Sequence, residues 1–372
     1  MPAVPPPSRS VLLNPGPVNV HPAVREAMSY PDACHREVEV ADLLRNVRTS
    51  ATRLAGGDSR FTSVVVTGSG TAALEATLTS VVPPGKRVLV LDNGNYGERI
   101  AKVLAAHGIP STHLEFGWGE RIELDAVRHA LVTDEDLTHV AMIHHETSTG
   151  MMNPLHGVGE IVHALGRSLI VDAISSLGAE DLSVVDDHVD WCVGTANKCV
   201  EGLPGVSFVV ARRAALDAIA DHPPRTLYLD LHRHHLAQED DAPLFTPAVQ
   251  VLYALDVALS MALEEGVAAR GARYESLAGI LRDGMAERGL GIALEPRDRA
   301  RSVTNVTLPD GVTYEELHDA LKRRGYTIYG VPQKVGEYVR LSTMGQLRES
   351  DITHFLEAFD ESLVELRSVV PA

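Results

Sequence analysis

Cysteine is scarce: Cys34, Cys192 and Cys199 are the only three in 372 residues. They are too few and too unpaired for a disulfide framework, and their spacing makes no zinc site. A reducing, cytoplasmic setting is therefore expected. Positive charge is also in deficit, with 33 Lys and Arg against 50 Asp and Glu and a formal net charge of -17. Such a surface repels nucleic acid and anionic membranes, so neither is an expected partner. Any phosphate group must be held by local amides and a few placed cations. No apolar run approaches the roughly 20 residues of a membrane span, and Pro2-Ala-Val-Pro-Pro-Pro-Ser8 lacks an apolar signal core. That proline-rich start reads as a loose tail. Internal repeats are missing too.

What remains is an ordinary globular composition, 45% hydrophobic and 22% charged, in a chain long enough for roughly two domains. Between Phe61 and Val210 short β-branched runs alternate with helical patterns: Ser63 to Val66, Arg87 to Leu91, Thr138 to Ile143, Ser168 to Val171, Trp191 to Val193 and Val206 to Val210. This alternation predicts an α/β fold with a mainly parallel sheet. Val249 to Leu263 has the spacing of a long amphipathic helix, and the texture changes after it. We expect a large domain over 17–256 and a smaller α+β domain over 257–372, with 1–16 packing near the latter. The small domain should hold a helix capped by Thr313 and Glu316, strands at Tyr326 to Tyr329 and Tyr338 to Leu341, and a last helix entered at Ser350 or Asp351.

Lys198 follows the apolar run Trp191 to Asn197 and precedes a flexible Cys199-Val-Glu-Gly-Leu-Pro-Gly205. Asp172 ends the run Ser168 to Val171, so an amine and a carboxylate leave two strands on the same side of the sheet. One use of such a pair is to hold a carbonyl cofactor as a Schiff base while the carboxylate meets a ring nitrogen, as in pyridoxal phosphate (PLP) chemistry. From position alone, a solvated loop lysine and a helix N-cap fit as well. The strand at Ser63 to Val66 enters Thr67-Gly-Ser-Gly-Thr71 and then a helix, an arrangement suited to a phosphate. The same stretch reads as a dinucleotide fingerprint, Gly68-Ser-Gly-Thr-Ala-Ala73, with Asp92 about 20 residues on. An NAD-dependent oxidoreductase is thus an alternative. Lys198 and Asp172 speak against it, since a nicotinamide site needs neither. His144 and His145 invite a metal reading, but strand neighbours point to opposite faces and no third ligand follows, so no metal is expected. His232, His234 and His235 read as a solvated loop.

The chain resembles the class V aminotransferases, a branch of the fold-type I PLP enzymes, from about Val11 to Leu366. The resemblance is carried by Leu13-Asn-Pro-Gly-Pro-Val-Asn19, Cys34-His-Arg-Glu37, Gly68-Ser-Gly-Thr71, Asn93-Gly-Asn-Tyr-Gly-Glu-Arg99, His145-Glu-Thr-Ser-Thr-Gly150, Val171-Asp-Ala-Ile-Ser-Ser176, Ala196-Asn-Lys-Cys199 and Phe245-Thr-Pro247, all in the family's order. It implies a large PLP-binding domain and a smaller C-terminal one. Lys198 would be the Schiff-base lysine and proton carrier, and Asp172 the partner of the pyridine nitrogen. Ser69, Gly70 and Thr71 would hold the phosphate, with Thr246 donated from the other subunit of a homodimer. Tyr96, on a loop after the second strand, would stack on the ring, and Thr147 would donate to its phenolic oxygen. Arg340 would bind the substrate carboxylate. Asn19, His35 and Arg36 are weaker candidates for a phosphonate or carboxylate.

The implied reaction moves an amino group from 2-aminoethylphosphonate, or a close phosphonate amine, to pyruvate. An alanine or serine:glyoxylate exchange is the alternative. Asp241-Ala-Pro-Leu244 and Leu341-Ser-Thr-Met-Gly345 depart from the family pattern, and both departures bear on the substrate rather than on the cofactor.

Overall fold

The computed structural model describes residues 10–330 and 338–369. Aliphatic and β-branched runs between Phe61 and Arg212 pair into one seven-stranded sheet. Its strands are β1 (Phe61–Thr67), β2 (Arg87–Asp92), β3 (Ser111–Glu115), β4 (Leu137–Ile143), β5 (Ser168–Asp172), β6 (Trp191–Thr195) and β7 (Val206–Arg212). They lie in the order β1-β7-β6-β5-β4-β2-β3. All are parallel except β7, which runs antiparallel to both neighbours. The chain thus has the expected α/β architecture with a mainly parallel sheet. Helices cover both faces. In β5, Leu169 and Val171 belong to one apolar core and Ile170 to the other, the two-residue period of a strand buried on both sides.

Strand β3 was not anticipated. It lies at the sheet edge, and its Ser-Thr-His-Leu-Glu sequence is nowhere fully buried, so it carries none of the apolar signal of its neighbours. The sheet order also removes the dinucleotide reading. In a dinucleotide-binding unit the strand before the glycine loop neighbours the strand ending in the acidic residue. Here β7, β6, β5 and β4 separate β1 from β2. Asp92 closes its own turn, accepting from the Gly94 amide at 3.1 Å.

The helix Val249–Glu265 lies in the large core. Its buried Leu252, Leu255, Ala258, Leu259 and Ala262 fall on both sides of position 256/257. A further core surrounds a three-stranded antiparallel sheet of Val303–Thr307, Tyr338–Ser342 and Tyr329–Gly330. Leu317 and Leu321 pack there from the helix Tyr314–Arg323, which Thr313 and Glu316 close with the anticipated reciprocal cap. Ile352, Phe355 and Phe359 come from the last helix, Glu349–Val369. Val11–Leu12 pairs in parallel with Tyr326–Thr327, and Leu13 joins this same core. Pro2 to Ser8 lies outside the described residues.

His234 and His235 correct the solvated-loop reading. They are buried on the helix Leu231–Glu239, with Nε2 of His234 2.7 Å from the Tyr228 carbonyl. The nearby charged residues masked a helical period that puts both rings on the packed side.

One buried carboxylate anchors the loop beside Lys198. The Glu201 amide donates to the Lys198 carbonyl at 2.9 Å. Its side chain accepts from Arg273 at 2.9 Å, from the Tyr274 hydroxyl and from Gln346. Arg270, 1% exposed, donates to the Cys199 carbonyl at 2.8 Å. The loop that carries the lysine is therefore bolted to the helix Val267–Glu287 and to the segment after Tyr338–Ser342. Removing one partner of such a buried set leaves the others desolvated, at a cost of about 3 kcal/mol. We expect Glu201→Ala to lower the melting temperature by several degrees. An unchanged melting curve would show that the network carries no stability.

Candidate active site

The carboxyl ends of the parallel strands lie along one edge, where open α/β sheets bind their ligands. Asp172 ends β5, facing Ile143 of β4 on one side and Val193 of β6 on the other. Lys198 follows β6, and the turn Ser69–Thr71 follows β1. A single recess is lined by Ser69, Gly70, Thr71, Tyr96, Thr147, Asp172 and Lys198. All seven had been assigned to the cofactor from the sequence. His145, Arg99, Ser175, Ile174 and Asn197 also line it. Volume alone does not mark this place, since a larger groove of about 860 Å3 lies elsewhere, lined by Arg53, His144, Asn153 and Arg301 among others.

Asp172 is 5% exposed. Burial pushes its carboxyl up to about 6, against the opposing pull of the Ile174 amide, Lys198 and Arg99. It does serve its own turn, with Oδ1 accepting from Ile174 N at 2.9 Å. Burial likewise holds the Lys198 ammonium below the ordinary lysine range, with Arg340 adding to the effect and Tyr96, Cys199 and Asp172 opposing it. Lys198 Nζ donates to the Pro15 carbonyl. The stem of the lysine leaves no room at Gly16, whose φ is 105° and where a Cβ would stand 2.5 Å from Lys198 Cδ. The Pro15-Gly-Pro17 turn is thus shaped by the lysine it shelters.

At the glycine turn Ser69 starts the helix Gly70–Val81, and its own side chain makes no cap bond. The Gly70 and Thr71 amides begin that helix, where they have no intrahelical acceptor and the dipole favours an anion. Gly70 is required by packing, since a Cβ would come 2.6 Å from Ile174 Cδ1. Arg99 supplies the local cation, 3.4 Å from Thr71 Oγ1 and 4.6 Å above the Tyr96 ring. Tyr96 is not on a loop as expected. It lies in the first turn of the helix Asn95–Ala106, because Gly94 starts the helix directly after the β2 turn. Burial raises the Tyr96 phenol, but Lys198, Arg340 and Arg99 outweigh it and hold the group below its usual range.

Thr147 is buried, its Oγ1 3.0 Å from Ser175 Oγ. His145 is a residue the sequence reading set aside. It is 1% exposed, and its Nδ1, 3.1 Å from the Ser175 carbonyl, must carry the proton in that bond. Its Nε2 has no partner among the described residues. Burial drives the ring down to about 3, so it is neutral. His144, at the bend between β4 and the short strand His145–Glu146, does not line this recess, and no group of three possible metal ligands occurs among the described residues.

Arg340 lies within Tyr338–Ser342, 7% exposed. Nη1 donates to the Thr147 carbonyl at 3.1 Å and Nη2 to the Gly330 carbonyl at 3.2 Å. Its Nε is unpartnered, and no carboxylate pairs with it among the described residues. A buried cation with spare donors and no counter-ion is a site for an anion. Asn19 is a correction. Its Oδ1 accepts from Leu12 N at 2.7 Å and its Nδ2 donates to the Ser10 carbonyl, so both ends of the amide hold the N-terminal strand. His35 and Arg36 lie on a turn before the helix Val38–Leu54 and do not line the recess. Thr246 is exposed, beside the stacked pair Phe245 and Tyr228, and outside the recess of its own chain.

Residues 25–339 match the family described as aminotransferase class-V. The chain belongs to the class V aminotransferases. It is 37% identical to a 2-aminoethylphosphonate–pyruvate transaminase of Burkholderia thailandensis, over 91% of this chain and 92% of that one. Identity to a protein of the same name from Syntrophobacter fumaroxidans is 35%, over 95% and 96% of the two chains. The fold is shared with an alanine–glyoxylate aminotransferase from Nostoc sp., with a TM-score of 0.91, 27% identity and coverage of 98% and 97%. The protein is accordingly a PLP-dependent aminotransferase, and its recess brings Lys198 and Asp172 together.

Asp172→Asn keeps the shape but removes the charge that would hold a ring nitrogen protonated. Electrostatic losses of this kind are a few kcal/mol, so kcat should fall by about a hundredfold or more while cofactor affinity changes less. A fall of less than about threefold would reduce Asp172 to a turn residue.

Proposed function

We propose that the chain moves the amino group of 2-aminoethylphosphonate, or of a close phosphonate amine, to pyruvate, forming phosphonoacetaldehyde and alanine. The observation that carries this reading is Arg340, a buried guanidinium with no counter-ion among the described residues, donating to the carbonyl of the same Thr147 that lines the Lys198 recess. Both reactants are small anions, a phosphonate and a carboxylate, and a planar fork of donors suits either. Relatives named for this reaction align over nearly the whole chain.

The residues present fit pyridoxal phosphate. The Gly70 and Thr71 amides, the Ser69 and Thr71 hydroxyls and Arg99 would hold its phosphate. Asp172 would meet the ring nitrogen, Thr147 the phenolic oxygen, and Tyr96 one face of the ring. Once bound, the cofactor supplies an electron sink for the negative charge that develops at the amine-bearing carbon. Lys198 is the group that moves the proton, because desolvation already lowers its affinity for one. The carbonyl oxygens of Thr147 and Gly330 fix the plane of the Arg340 guanidinium and leave Nε and the remaining N–H groups for substrate oxygens.

Oligomerisation belongs to the same proposal. Met28, Tyr30 and Val38 are exposed large apolar side chains, as are Leu227, Tyr228 and Leu236. Tyr30 packs on Tyr253 and Tyr228 on Phe245, next to the exposed Thr246. We read this as support for a homodimer in which Thr246 completes the partner's phosphate site. Free Cys34, Cys192 and Cys199 suit a cytoplasmic enzyme. A large cofactor-binding domain and a smaller C-terminal one, divided near 256/257, complete the proposal. The Asp241–Leu244 and Leu341–Gly345 departures favour a second reading, an alanine or serine:glyoxylate exchange on the same cofactor.

Donor screening separates the two. 2-Aminoethylphosphonate should convert the visible spectrum of the loaded enzyme fastest, and Arg340→Lys should raise KM for phosphonate and pyruvate alike by about tenfold, through loss of the fork. Faster conversion by alanine or serine with glyoxylate as acceptor would transfer the assignment to the second reading. The shared site has its own test in subunit mixing. Lys198→Ala and Thr246→Ala chains, each impaired alone, should regain part of the activity once exchanged into mixed dimers. No recovery after verified exchange would place Thr246 outside the site.

A further inference from the structure

We propose that Glu146 is a positioning residue for Tyr96, holding the ring in place through the backbone amides that open the helix Asn95–Ala106. This rests on the reading of Tyr96 as the residue that stacks on the cofactor.

Gly94 starts that helix and has no side chain to cap it. Its first amides therefore need an acceptor from elsewhere. Glu146 supplies one across fifty residues of sequence, with Oε2 accepting from Tyr96 N and from Gly97 N, each at 3.1 Å. Oε1 accepts from Ser148 N at 3.1 Å and from the Ser148 hydroxyl, whose oxygen in turn accepts from Asn95 N at 3.1 Å. Three consecutive amides, Asn95 to Gly97, are thus gripped by one carboxylate and one hydroxyl from the turn after β4. Close approach is built in, since a Cβ at Gly94 would stand 2.4 Å from Glu146 Cγ.

The arrangement is costly as pure scaffolding. Glu146 is fully buried and makes no ion pair among the described residues. Burial pushes its carboxyl up to about 7 against the pull of those four donors. The positive end of the helix dipole pulls the same way as the donors, against burial. What the clamp fixes is the part of the helix that faces the recess. Tyr96 is its second residue, and Arg99, one turn on, lies over the Tyr96 ring and reaches Thr71. The same strand end that carries Thr147 into the recess thereby sets the plane of the ring opposite it.

The test compares Glu146→Ala and Glu146→Gln with the unsubstituted full-length chain, alone and in a Tyr96→Leu background. Hydrogen exchange of residues 94–99 is followed without cofactor, and PLP affinity, kcat and KM are measured separately. In Glu146→Ala the Asn95 to Gly97 amides should exchange at least about tenfold faster while β5 and β6 keep their protection. PLP should bind roughly tenfold more weakly, and kcat should fall while KM for the amine moves less than about threefold, because a displaced ring costs alignment rather than substrate contact. Glu146→Gln, with one acceptor oxygen left, should recover part of each loss, and it also serves if the alanine variant does not fold. Once Tyr96 is leucine, Glu146→Ala should weaken PLP by less than about twofold, since residues acting as a unit are not additive. Full additivity, or unchanged amide exchange with normal PLP binding, would overturn the role given to Glu146. Failure of the unsubstituted chain to bind PLP would overturn the functional reading and this role with it.

Discussion

Six of the seven strands in the main sheet run the same way, so their carboxyl ends meet on one edge, and the rest of the molecule answers to that constraint. Side chains delivered there come from strands buried on both faces, which fixes their direction. They also arrive in a place with little water. An amine, a carboxyl, an imidazole and a guanidinium are brought together under conditions that disfavour charge. The outcome is visible in Asp172 pushed up to about 6, His145 driven down to about 3 and Lys198 lowered. Burial is what holds each of these groups away from its solution preference; the neighbours of Asp172 all pull against it, and those of Lys198 and His145 are divided.

Arg340 shows how the small sheet takes part. It crosses to the Thr147 carbonyl at the end of the β4 turn while its other arm stays on Gly330 of its own sheet. The cation therefore bridges the turn after β4 and the three-stranded sheet. Glu201 does the same from the opposite side, tying the loop behind Lys198 to Arg273, Tyr274 and Gln346. The lysine and the arginine are set relative to each other by two polar bridges.

Much of this was legible in the sequence, and the reasons differ by residue. The strands and the Lys198 and Asp172 positions could be read because a strand buried on both faces leaves a continuous apolar run that ends abruptly at its polar terminus. The turn at Ser69–Thr71 was legible by its glycines, although the same letters also spelled a dinucleotide site. Lys198 and Asp172 already spoke against that second reading, and the sheet order, a long-range property that no local pattern carries, removes it. Edge strand β3 was missed for the opposite reason, being too exposed to leave an apolar trace.

Asn19, Tyr96 and Glu146 mark where local reading stops. Asn19 belongs to a segment that does approach the site, since Pro15 and Gly16 touch Lys198, yet its amide is spent on Ser10 and Leu12. Proximity of a segment does not choose which of its side chains faces inward. Tyr96 was placed on a loop because Asn93-Gly-Asn95 has the composition of a turn, and the residue at the cap position, Gly94, has no side chain. Its cap comes from Glu146, whose partners lie fifty residues away and are backbone amides, invisible in the letters at either end. A helix that borrows its cap from a distant strand is tied to that strand. When the strand also lines the site, the loan determines how the site is built.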